Sequence, residues 1–246
     1  MKKAVILVMS CEQERYKNEE EIIRKTWAKD ILYDKYENLK LLFYRGGSDD
    51  IKEYNNILLL KNNDDLEGTF EKTKEAFLYV KDCFEYDYII RTNTSTYVNV
   101  QNILSFLEFD NIDEETMYGT ALCITDSDCF LRGNFLIIPS KMVDIICGYS
   151  FPNVDDIGFS RIIYNKYNRD IFSHIREIDG VNNISEPYYN KLSSAYAIRV
   201  KDENNSENNI VTMLGLHILF KNIKQFNATP PHNFTYVETK FGKIPI

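Results

Sequence analysis

Glycine and proline are scarce in this chain, 10 and 6 among 246 residues, with glycine at roughly half its ~7% average usage. That excludes collagen-like, linker-rich and low-complexity architectures. A basic excess is lacking too. Lysine and arginine number 29 against 37 aspartates and glutamates, a formal net charge of −8, so no basic footprint for nucleic acid exists. No apolar run approaches the ~18 residues of a membrane-spanning helix. The run Ala4–Met9 follows two lysines as a secretory leader would, but it is six residues long. Glu12, Glu14, Glu19, Glu20 and Glu21 come next, without a small-residue cleavage site, so a buried first strand is expected. Phosphate loops of the Gly-x-Gly-x-x-Gly or Gly-x-x-x-x-Gly-Lys form are absent, which weighs against an unrelated α/β nucleotide-binding protein. The five cysteines (Cys11, Cys83, Cys123, Cys129, Cys147) are odd in number and lack metal-finger spacing. They read as free core thiols in a reducing compartment.

What the chain does have is enough length to bury a full core and 44% hydrophobic residues. In its first half, strand and helix signals alternate. Ala4–Met9, Leu39–Tyr44, Ile57–Leu60 and Tyr86–Arg91 read as strands. Glu19–Trp27 and Leu66–Phe84 read as helices, the second with Phe70, Thr73, Phe77 and Val80 at spacings of three and four. Strands separated by helices predict βαβ units and a mostly parallel central sheet flanked by helices. The second half is mixed and less regular. Val100–Phe109 reads as a helix, and Met117–Ile124 and Phe130–Ile138 as strands. Helices are expected from Ser140 through Cys147 and from Asp155 or Asp156 through Tyr167, then a strand near Ala195–Val200. Lys201–Asn209 reads as an exposed loop tip, Val211–Phe220 as a last apolar segment, and Pro230-Pro231 opens a tail. With no repeat and no clear linker, one α/β domain over residues 1–246 is the economical reading.

Ligands of open α/β sheets bind beyond the carboxyl ends of the strands, here after Met9, Leu60 and Arg91. The apolar strand ending in Arg91 runs into a polar cluster, Thr92-Asn93-Thr94-Ser95-Thr96, followed by Tyr97-Val98-Asn99. This spacing resembles the β-1,3-galactosyltransferase and Fringe-type glycosyltransferases, in which such a strand ends in Lys-Thr-Asp-Asp-Asp before Val and Asn. Four other segments agree in order. Ile22-Ile23-Arg24-Lys25-Thr26-Trp27 is similar to the family's Ile-Arg-x-Thr-Trp helix, and Asp64–Thr73 to its Asp-x-Tyr-x-Asn-Leu-Thr-x-Lys-Thr segment. Arg132-Gly133 through Pro139-Ser140 is similar to its Ser-Gly-x-x-Tyr-x-Leu-Ser segment, and Val154-Asp155-Asp156-Ile157 to its Glu-Asp-Val motif.

The resemblance spans roughly residues 1 to 165 and implies a GT-A fold, with residues 1–100 as the nucleotide-sugar half. Residues 101–246 would form the acceptor half and a C-terminal closing segment. It implies transfer of a sugar from a nucleotide-diphosphate sugar, most readily a UDP-sugar, to a glycan hydroxyl. Asp156 aligns with the position where the family keeps the carboxylate base of an inverting transfer, beside Asp155. Expected donor-side residues are Ser10, Arg15, Arg24, Lys72, Arg91, Asn93, Thr94 and Ser95, with His217 and Lys221 closing over the diphosphate. Arg132 and Gly133 fall on the acceptor side.

The family's metal-binding aspartates are replaced here by Asn93, Thr94 and Ser95. Neutral oxygens are poor sole ligands for Mn²⁺ or Mg²⁺, so either the enzyme is metal-independent or activity has been lost. Asp126-Ser127-Asp128 is a weaker alternative metal site on what reads as an acceptor-side loop. The competing reading is a non-catalytic glycan- or nucleotide-binding module with a decayed enzyme fold. The expected setting is cytoplasmic, in a bacterium or a virus-infected cell.

Overall fold

The structure is a computed structural model and describes residues 1–109, 112–125, 128–151, 154–167, 172–179, 189–202, 206–222, 236–239 and 242–245. In chain order its elements are β1 (Ala4–Met9), α1 (Glu14–Lys25), α2 (Lys29–Leu32), β2 (Leu39–Arg45), β3 (Lys52–Tyr54), β4 (Ile57–Leu59), α3 (Thr69–Cys83), β5 (Tyr88–Asn93), β6 (Thr96–Val98) and α4 (Val100–Glu108). There follow β7 (Met117–Thr125), β8 (Asp128–Pro139), α5 (Ser140–Cys147), α6 (Asp155–Tyr167), β9 (Phe172–His174), β10 (Glu177–Asp179), α7 (Tyr189–Ser194), β11 (Ala197–Arg199), α8 (Ser206–Asn222), β12 (Tyr236–Thr239) and β13 (Gly242–Pro245).

The main sheet has eight strands in the order β3-β4-β2-β1-β5-β8-β7-β9. Its centre is parallel, β1 lying between β2 and β5 with Met9 level with both Tyr44 and Asn93. The antiparallel β8 then pairs with β5, Thr92 opposite Phe135. Alternation along β1 explains why it is a continuous apolar run. Ala4, Ile6 and Val8 enter one core with Ile23, Trp27, Phe106 and Leu216. Val5 and Leu7 enter the other with Phe70, Phe77 and Phe159. A strand covered on both faces needs apolar residues at every position. A smaller sheet has the order β10-β11-β6; its β6 follows β5 in the chain, and Arg199 of β11 lies opposite Thr96.

The expected strands and helices of the first half are present with shifted bounds, and the helix expected at Glu19–Trp27 runs Glu14–Lys25. The helix expected from Leu66 begins at Thr69, because Asp65 takes the Gly68 amide at 2.6 Å and holds the preceding residues in a turn. The short strand β3 has no apolar pattern and is fully exposed. It is formed by a two-residue turn, Asn55-Asn56, whose φ values of 48° and 60° suit a tight antiparallel hairpin. Among the described residues no helix is long and apolar enough to cross a membrane.

Candidate active site

A cavity of about 480 Å³ opens where β1 and β5 end. Ser10, Arg15, Lys72, Asn93, Thr94 and Ser95, expected together from the sequence, all line it. Its floor is set by one buried ion pair. Lys72 on α3, 2% exposed, puts Nζ 2.7 Å from Asp64 Oδ1 and 3.3 Å from the Ser10 carbonyl. Asp64 Oδ1 also accepts the Gly46 amide at 2.8 Å. Residue 46 must be glycine for this, since a Cβ there would lie 2.2 Å from the Asn62 carbonyl oxygen. The other Asp64 oxygen and the Ser10 hydroxyl are buried without a hydrogen-bond partner. Orphaned polar atoms of this kind are rare in folded chains and mark the cavity as built for a polar ligand.

The opposite wall is held by Glu19. One of its oxygens takes Arg15 Nε at 3.4 Å and Asn209 Nδ2 at 2.8 Å, and the other accepts the Thr94 hydroxyl. Asn93 Oδ1 accepts from Ser95 Oγ at 3.0 Å and Thr96 Oγ1 at 2.8 Å. Arg199 and Lys201 complete the lining. Neither was expected as a site residue. Of Lys201–Asn209, expected as an exposed loop tip, Lys201, Glu207 and Asn208 are exposed, but Asn209, in the first turn of α8, is not. Asn209 is 0% exposed, and its Oδ1 accepts the Asp202 amide at 2.7 Å while its Nδ2 reaches Glu19. Its side-chain amide serves a buried bond to a residue 190 positions away, a signal that local sequence does not carry.

The two adjacent carboxylates at the start of α6 have opposite surroundings. Asp155 is fully buried and its Oδ2 lies 2.7 Å from Arg91 Nη2 and 3.0 Å from Thr73 Oγ1, which in turn meets Tyr44 Oη at 2.9 Å. Burial pushes the Asp155 carboxyl up, against the pull of the Arg91 guanidinium; burial also pushes the Tyr44 phenol up to about 12. Asp156 is only half-buried. The Gly133 amide donates to its Oδ2 at 2.9 Å and the Ile157 amide to its Oδ1 at 2.8 Å. A Cβ at residue 133 would come 3.0 Å from Arg91 Nη1 and 3.1 Å from Asp156 Oδ2, so glycine there lets β8 approach the carboxylate. The position of α6 is fixed by Phe159, which packs on Phe70 and Phe77 of α3 with ring centroids 5.5 and 5.4 Å apart.

Several expected donor residues lie elsewhere. Arg91 is 2% exposed and committed to Asp155, so it is not part of the cavity lining. Arg24 donates to the Asn55 carbonyl at 3.0 Å and covers the Phe43 ring at 4.4 Å. His217 and Lys221 line a different cavity that shares no residue with the first. Arg132 is half-buried on β8, next to Gly133. Asp126 and the side chain of Asp128 lie outside the described residues, as do Pro230 and Pro231. The core-thiol expectation also needs correction, because Cys83 is exposed and Cys11 and Cys147 are only half-buried.

The galactosyltransferase family model matches residues 18–135. That stretch runs from α1 into β8 and contains Lys72 and Asn93–Ser95. Over that stretch, a little under half of its length, the chain is similar to the galactosyltransferase family. The match ends before Asp155 and Asp156. Among solved structures, a glycosyltransferase involved in the glycosylation of the major capsid of PBCV-1 aligns with a TM-score of 0.51 at 10% identity, covering 87% of this chain and 99% of that one. The galactosyltransferase LgtC, in complex with donor and acceptor sugar analogs, gives 0.46 at 8% identity, covering 91% and 97%. No curated protein matches the chain by sequence. The chain is thus similar to galactosyltransferases by sequence over residues 18–135, and to a glycosyltransferase by fold over most of its length.

Proposed function

We propose that the chain transfers a sugar, with inversion, from a nucleotide-diphosphate donor to a glycan hydroxyl without a divalent cation. A UDP-sugar is the first donor to try. The observation that carries this reading is the donor-side cavity. Arg15, Lys72, Arg199 and Lys201 line it, and neutral groups stand at the positions where the resembled family has aspartates. Those neutral groups do not fit a metal. Asn93 Oδ1 is taken up by Ser95 and Thr96, and the Thr94 hydroxyl by Glu19. Among the described residues no group of three His, Cys, Asp or Glu side chains could hold one.

The chemistry then falls to fixed side chains. Asp156, oriented by the amides of Gly133 and Ile157, takes the proton of the acceptor hydroxyl. The freed oxygen attacks the anomeric carbon from the face opposite the nucleotide, and the bond from that carbon to the phosphate oxygen breaks. The electron pair leaves with the diphosphate. Arg15, Arg199 and Lys201 oppose its charge, as fixed cations do most effectively in a partly dry cavity. Lys72, already paired with Asp64, holds the cavity's shape. The test is donor turnover with a panel of sugar nucleotides, with and without EDTA. Full activity in EDTA is expected, and complete loss overturns the metal-free mechanism.

A further inference from the structure

The second cavity, about 330 Å³, lies between α2, the start of α4 and α8. Its size is at the small end of ligand pockets, about 300–1,000 Å³, and suits one or two sugar rings. Its walls combine flat aromatic rings with polar groups. Trp27, Tyr36, Tyr97 and Phe220 supply the rings. The indole N–H of Trp27 is buried without a hydrogen-bond partner. His217 Nδ1 meets the Tyr97 hydroxyl at 3.2 Å. Burial and the neighbouring Lys221 hold the ring below its ordinary pKa, so it is neutral near pH 7 and able to exchange hydrogen bonds with hydroxyls.

The charge balance of this cavity favours an anion. Asp30 is the one carboxylate in the lining, and Lys35 already holds it at 2.7 Å. Lys29 and Lys221 have no carboxylate partner among the described residues. Val100 and Gln101, also in the lining, are the first two residues of α4, whose amides have no acceptor within the helix and sit at the positive end of its dipole.

We propose that this cavity binds an acidic sugar. The ring lies against the aromatic side chains, and its carboxylate or phosphate sits between Lys29, Lys221 and the start of α4. Such a site would hold part of a glycan away from the reacting centre. It stands independently of the donor-side reading.

Trp27 is the only tryptophan, so its emission reports directly on this wall. The full chain is titrated with glucuronic acid, glucose 1-phosphate, glucose and inorganic phosphate, and calorimetry repeats each titration. A saturable response is expected from at least one acidic sugar, at least tenfold tighter than from glucose or inorganic phosphate. Which acidic sugar responds identifies the acid group. Binding should weaken at least tenfold in the double variant Lys29→Gln, Lys221→Gln, and in Lys221→Gln alone to a smaller degree. It should persist in Asp156→Asn and in the presence of UDP. Three results overturn the proposal: no saturable signal from either acidic sugar by either method, an equal response to glucose or inorganic phosphate, or displacement by UDP.

Discussion

The two cavities are both walled by cations, and the difference lies in what those cations already do. At the ends of β1 and β5, Lys72 is bound to Asp64 and Arg15 to Glu19, so part of the positive charge is spent on holding the walls. Beside α4, the one carboxylate is turned to Lys35, and Lys29 and Lys221 face the space without one. A buried, paired cation shapes a site, whereas an exposed one without a carboxylate is available to a ligand at little desolvation cost. The same contrast separates Asp155, sealed against Arg91, from Asp156, half-exposed beside Gly133. Counting lysines and arginines along the chain would treat all of these alike.

The sharpest way to break the comparison is at the carboxylates. Asp156→Asn should cut donor turnover by at least about a hundredfold, the usual weight of a positioned base, with the thermal midpoint nearly unchanged. Turnover that survives removes the proposed base and revives the non-catalytic reading. Arg91→Met should act oppositely. It leaves Asp155 buried without its partner, which costs about 3–5 kcal/mol of stability, measurable by denaturant unfolding. A stable Arg91→Met protein would mean that the pair contributes little.

A smaller effect tests the separation of the cavities. Arg199→Ala and Lys201→Ala should each weaken UDP binding about tenfold, the size of one lost charge-assisted hydrogen bond at ~1.5 kcal/mol. Lys221→Gln should leave UDP binding as it was. Calorimetry decides, and equal loss in all three would merge the two sites into one.

The smallest effect concerns His217. Its folded-state pKa lies below the ordinary 6.5, so below that pH the unfolded chain binds more protons than the folded one. Stability should therefore fall as pH drops from about 7 through the folded value. Because the ring is partly open to solvent the change is slight. A thermal-melt series from pH 7 to 5.5 should show a shallower slope for His217→Gln than for the parent chain.

Much of the scaffold could be read before any coordinates. The alternation of strand and helix signals, the both-face burial of Ala4–Met9 and the polar cluster after Arg91 reflect local periodicity, which a strand or helix imposes residue by residue. The short strands β3, β9 and β10 could not be read, because three paired residues leave no period and these lack the apolar run that marked β4. The site was legible in part. Ser10, Lys72 and Asn93–Ser95 sit at strand and helix ends, and their chain position alone sends them to the carboxyl edge of the sheet. Arg199 and Lys201 were missed because they reach that edge from β11, more than 100 residues further along the chain than β5.

The sequence by itself determined the layered α/β architecture, the absence of carboxylates at Asn93, Thr94 and Ser95, and the presence of adjacent acids at Asp155 and Asp156. Only the tertiary structure decided which acid is sealed and which is open. It also decided that Arg91 supports the core and that His217 and Lys221 belong to a separate cavity. The physical reason is that a charged side chain's role depends on its partner and its desolvation, and both come from residues far away in the chain, such as Thr73 for Asp155 and Asn209 for Glu19.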